Sequence, residues 1–107
     1  MAWLVLVVAG LCEIAWAVGL KYTDGFTRPT PTTLVVGAMV ASVWLLAIAL
    51  KTIPLGTGYA VWTGIGAVGT AIVGMLLFDE SRDALRIVCI LLIVAGIVGL
   101  KLVTPEA

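Results

Sequence analysis

The sequence predicts an all-α membrane protein with four transmembrane helices in a single domain, residues 1–107. Three observations point there. Of the 107 residues, 63% are apolar and 11% charged, with a mean hydropathy of +1.25. A soluble domain carries about 25% charged residues, so too few polar groups are present to cover a water-facing surface. The charges also divide the chain into four apolar runs, 2–20, 33–50, 55–78 and 84–103. Each run matches the ~20 helical residues that cross a hydrocarbon core of about 30 Å. The runs are continuous rather than alternating, which excludes barrel strands. Six acidic residues balance six basic ones, so the basic excess of a nucleic-acid binder is missing. The chain has no histidine, which removes the commonest metal ligand and the usual base of a nucleophilic site.

The first run carries one charge, Glu13, and opens near Trp3, an expected interfacial anchor. Ala15-Trp16-Ala17 imitates a signal-peptide cleavage site. No Lys or Arg precedes the run, however, and a carboxylate interrupts it, so a retained helix is expected. The connector 21–32 holds the breakers Asp24-Gly25, Pro29 and Pro31. The second run is uncharged and places Ser42 at its centre, where a hydroxyl can donate to a carboxylate in the same layer or bond back to its own helix. A four-residue connector, 51–54, ends on Pro54. The third run, 24 residues, is about 36 Å long as a helix and must tilt or bend. It holds six of the twelve glycines, and Gly64-Ile65-Gly66 near its centre is a candidate hinge. Tyr59, Trp62, Thr63 and Gly66 share one face at helical spacing. After the connector 79–83, the fourth run has no charge in its middle. Leu92, Gly96, Gly99 and Val103 share a face there, which reads as a helix–helix seam suited to dimerisation. Cys12 and Cys89 lie inside apolar runs and read as small packing residues.

Glu13 lies two residues past the midpoint of its run, about 3 Å from mid-membrane. Every Lys and Arg is at or near a run end, so no cation of the same chain reaches that depth. A charged carboxylate there is expensive. Two readings remain: a protonated acid acting as glue between helices, or a site that holds a proton and a substrate cation in turn. The second is favoured because the acid is alone. Ala9 and Gly10 lie one turn before it and leave room for a ligand or a neighbouring helix; Trp16 lies one turn after it. Trp62 and Tyr59 are about 7 Å and 11 Å before their own run's midpoint. A partner inserted upside down would therefore bring its aromatic pair closer to Glu13 than the chain's own. Four short helices also enclose little volume, which again favours a dimer.

Charge barely orients the chain. Lys21, Arg28, Arg82 and Arg86 fall on one side, Lys51 and Lys101 with the N-terminal amine on the other. That bias fits either four cations facing the cytoplasm or insertion in both directions.

The segments AGLCEIAW (9–16), AVGLKY (17–22), GFTR (25–28) and IPLGTGYAVWTGIG (53–66) resemble the small multidrug resistance family of transporters along the whole chain, and most of all its guanidinium-exporter subtype. Trp16, Ser42 and the run Trp62-Thr63-Gly64-Ile65-Gly66 carry the subtype; drug-exporting relatives have a small residue where Trp16 stands. The resemblance implies an antiparallel, dual-topology homodimer in the bacterial cytoplasmic membrane that exchanges protons for guanidinium-type cations by alternating access. It needs no cofactor and performs no enzymatic step. Glu13 of both chains would be the shared proton and substrate site. Gly10, Trp16, Ser42, Tyr59 and Trp62 would line it, Gly64 to Gly66 would flex, and Gly96 and Gly99 would serve the dimer seam. The alternative within the fold is a polyspecific exporter of quaternary ammonium cations. Outside it stand a rotor-type proteolipid and a small membrane regulator.

Overall fold

The structure is a computed structural model that describes residues 1–104. Four helices account for nearly all of them: α1, Ala2–Gly19; α2, Pro29–Ala49; α3, Leu55–Leu77; and α4, Ala84–Val103. All four are long and apolar enough to cross a membrane, and no strand occurs among the described residues. The breakers fall in connectors or at helix starts, though not always as expected. Pro29 and Pro31 were expected in a connector; instead α2 starts at Pro29, four residues before 33. Proline suits the first helical position because the N–H it lacks has no helical acceptor there. Arg28, the residue before it, is extended (φ −91°, ψ 116°), as the proline ring demands of its predecessor.

The shortened connector is built around Thr23, which is 1% exposed. A 3₁₀ turn over Leu20–Tyr22 leads out of α1. The Thr23 hydroxyl donates to the Leu20 carbonyl (2.9 Å) and accepts from the Phe26 N–H (3.2 Å). Its carbonyl accepts from the N–H groups of Thr27 and Arg28. Those bonds hold Asp24, Gly25 and Phe26 in consecutive left-handed conformations. At the far end of α3 the orphan Met75 carbonyl accepts from the Arg82 guanidinium (3.0 Å), and a Glu80–Arg86 ion pair (2.7 Å) ties the loop to α4.

The helices form a slab with principal extents of 43 × 35 × 17 Å. Central α1 packs against both α2 and α3, while α4 packs chiefly against α3. The buried cluster of Leu6, Ala9, Leu46, Ala49, Ile53, Val61 and Trp62 joins the first half of α1, the last half of α2 and the first half of α3. The core therefore occupies one half of the membrane thickness, and Glu13 stands at its inner edge. No residue of α4 is buried. Cys89, expected to be packed, is exposed on that helix, and Cys12 is half-buried. Trp3 packs against the core, with the Lys101 ammonium 4.9 Å from its ring centroid.

Candidate functional site

Glu13 projects from α1 toward α3, and glycine makes its seat. A Cβ built on Gly66 would overlap the Glu13 carboxylate, so the side chain lies directly against the bare backbone of α3. Gly66 is buried, and its position in sequence matters for what it lacks. One carboxylate oxygen, Oε1, is buried and accepts no hydrogen bond among the described residues. The Trp16 indole N–H, one turn further along α1, is likewise buried and unpartnered.

Beside the acid runs a hydrogen-bonded relay through three helices. The Trp62 indole N–H donates to the Ser42 hydroxyl (2.9 Å), which donates to the Ala9 carbonyl (2.8 Å). Ser42 is fully buried and Trp62 is 8% exposed. The expected donation from Ser42 to the carboxylate is thus not made, and neither is the bond back to its own helix. The hydroxyl is a three-helix junction one turn from Glu13. Ala9 enters through its backbone, which no side-chain pattern signals; its small size is the only hint that another helix approaches.

The expected aromatic face splits. Trp62 and Gly66 point inward, whereas Tyr59 and Thr63 are exposed. Tyr59 still touches Trp62, with ring centroids 5.6 Å apart. Gly10, expected to line the site, instead receives Ile65: a Cβ there would stand 2.6 Å from an Ile65 methyl. Its role within the chain is close packing of α1 on α3. Gly64 lies against Ile97 and Ile93 of α4, and α3 is continuous helix through Gly64 and Gly66. Gly96 and Gly99 meet nothing within 4 Å, so the face expected to form a seam is open in the single chain.

The model of the Small Multidrug Resistance protein family matches residues 1–93. The chain belongs to that family. A guanidinium exporter of Yersinia pseudotuberculosis serotype I (strain IP32953) is 61% identical over 102 residues, spanning 95% of this chain and 98% of that protein. Guanidinium exporters of Citrobacter freundii and of Escherichia coli (strain K12) are 58% and 59% identical over 104 residues, each spanning 97% of this chain and 99% of its relative. This family member is a multi-pass protein of the bacterial inner membrane.

The relay gives one measurable consequence within the family fold. Ser42→Ala removes the acceptor of the Trp62 N–H and the donor to Ala9. A buried donor left unsatisfied costs about 1–3 kcal/mol. The variant is expected to unfold in mixed detergent at a correspondingly lower denaturant fraction and to carry its cation several-fold more slowly, because Trp62 loses its fixed position. An unfolding midpoint equal to that of the parent would show that the junction carries no strength.

Proposed function

We propose that this protein exports guanidinium and small guanidinyl cations in exchange for protons, working by alternating access as an antiparallel, dual-topology homodimer. The observation that carries the reading is Glu13: an acid at mid-membrane depth, seated on Gly66, with a carboxylate oxygen that no described residue of its own chain satisfies. Relatives spanning nearly the whole chain at 58–61% identity are named guanidinium exporters, which supports the cation assigned. The protein is then a transporter, not an enzyme, and the proton is its only coupling species.

Guanidinium fits such a site by shape and charge. It is planar, so two parallel N–H donors meet both carboxylate oxygens at once. The faces of Trp16, Tyr59 and Trp62 attract a delocalised cation. The same oxygens serve the proton and the cation, so the two states exclude each other. Cytoplasmic guanidinium displaces protons from the glutamates, the dimer reverses its opening, and external protons reload the carboxylates and release the cation. A state carrying both, or neither, must not reverse, since either would dissipate the gradient. Gly64 to Gly66 supply the flexible point for the reversal.

Two features support the dimer. A slab 17 Å thin does not enclose a pathway, and α4, which buries no residue, presents exposed apolar side chains such as Leu91, Leu92 and Val98 beside the open Gly96 and Gly99. Depth supports the inversion. The relay holds Trp62 at the level of Ala9, and Ala9 and Glu13 straddle the midpoint of α1, about 2 Å before it and about 4 Å after it. Inverting a second copy carries the partner's Trp62 to within about 2 Å of the depth of Glu13, with the partner's Tyr59 about one turn beyond.

The test is current on a solid-supported membrane bearing the purified protein. Guanidinium and its short alkyl derivatives are expected to give proton-coupled currents. Large aromatic quaternary ammonium ions are expected neither to be carried nor to compete. Effective competition by those ions would assign the chain to polyspecific export instead.

A further inference from the structure

The half of the membrane thickness away from the core holds a groove of about 400 Å³ between α1 and α2, lined by Ala15, Gly19, Tyr22, Thr30, Leu34 and Ala38, with Pro31 and Val35. Glu13 and the relay do not line it. Small residues create it. Gly19 lets α1 close on Val35, since a Cβ there would overlap that side chain, and Ala15 and Ala38 leave the space between them unfilled. Leu34, 70% exposed, stands as one wall. From Thr30 to Ala38 the groove runs about 12 Å along α2, from the membrane surface toward the interior.

Its walls are almost wholly apolar, but its mouth is not. Tyr22 and Thr30 bring hydroxyl groups to the surface end. Lys21 precedes Tyr22, and Arg28 lies two residues before Thr30. Both cations are exposed. Lys21 rests 5.4 Å from the Phe78 ring centroid, and the Arg28 side chain makes no hydrogen bond or ion pair among the described residues. Against them stands Asp24, also exposed. Glu80 is already paired with Arg86, and neither Arg28 nor Lys21 makes an ion pair among the described residues.

We infer that this groove is a binding site for an anionic glycerophospholipid, with one acyl chain along Ala15, Gly19, Leu34 and Ala38 and the phosphate headgroup on Arg28 and Lys21. Hydrocarbon is the solvent on this face, so a chain enters an apolar slot without dehydrating anything. The exposed cations then select the headgroup, each juxtamembrane Lys or Arg favouring anionic lipid by about fivefold. The site stands apart from the transport reading and requires only that the chain span a bilayer.

Native mass spectrometry of the full-length protein tests it, using phosphatidylglycerol and phosphatidylethanolamine with identical acyl chains as probes. The parent is expected to retain phosphatidylglycerol at least fivefold better than phosphatidylethanolamine. Arg28→Ala is expected to lower that preference about fivefold while keeping the helical circular-dichroism signal. Ala38→Leu, or Ala15→Leu should the first fail to fold, fills the slot and is expected to abolish retention with both cations in place. Equal retention of the two lipids by the parent, an unchanged preference in Arg28→Ala, or full retention of phosphatidylglycerol by a folded slot-filling variant would overturn the assignment.

Discussion

Proteoliposomes containing Glu13→Gln are expected to show no guanidinium flux above protein-free liposomes when a proton gradient is imposed. The substitution keeps the volume and nearly the shape of the side chain, so packing against Gly66 survives. It removes the only charge within the middle of any span. An amide cannot release a proton to an arriving cation or take one back, and it offers a cation no countercharge in a medium where an uncompensated charge is costly. Helix content and unfolding midpoint should stay close to those of the parent, since Glu13 Oε1 accepts no hydrogen bond among the described residues. That combination of intact fold and absent transport separates a site from structural glue. A glue residue would lose stability first and transport second. Proton-driven guanidinium uptake by this variant at near-parental rate would falsify the assignment of Glu13.

Gly66→Ala is expected to lower guanidinium transport at least tenfold through a purely steric route. The new methyl would occupy the space of the Glu13 carboxylate, so the acid must rotate away or α1 and α3 must separate. Overfilling a packed contact typically costs about 1–3 kcal/mol, and the unfolding midpoint should fall accordingly. Gly37→Ala provides the control: nothing lies within 4 Å of its Cβ position, and the exchange should be neutral or slightly stabilising, since alanine favours helix. Gly64→Ala separates the seat from the hinge. Its methyl would stand 2.9 Å from Ile97 Cδ1 and 3.0 Å from Ile97 Cγ1, so a side chain of α4 must shift rather than the acid, and it stiffens the helix as Gly66→Ala does. A larger loss at Gly66 than at Gly64 assigns the effect to the seat of the acid; equal losses assign it to bending.

The four spans were legible because charge punctuates an otherwise apolar chain, and the bilayer sets the length each span must reach. The start of α2 was misread because Pro29 and Pro31 break a helix from within but begin one well at its first turn; sequence alone does not say which side of the boundary a proline occupies. Glu13 was legible by depth, an arithmetic property of its run. Its neighbours were legible only as a layer. Ser42 was expected to donate to the acid, but its hydroxyl sits one turn away, between the Ala9 carbonyl and the Trp62 indole on two other helices, and which acceptor a hydroxyl reaches depends on helix rotation that spacing does not fix. For the same reason the stripe of Tyr59, Trp62, Thr63 and Gly66 divided between inside and outside. Gly10 and Gly66 show the other limit: both are glycines beside the acid in space, yet one receives Ile65 and the other the carboxylate itself.

Competition between a proton and a cation for Glu13 is tested most directly by proton release. Purified protein in detergent, lightly buffered at a pH where the acid is protonated, is mixed with guanidinium and the pH is followed. Binding is expected to expel protons from the parent and none from Glu13→Gln. Raising the starting pH should tighten guanidinium binding and reduce the protons released per cation bound. Guanidinium binding to the parent with no proton release across that pH range would contradict the exchange mechanism.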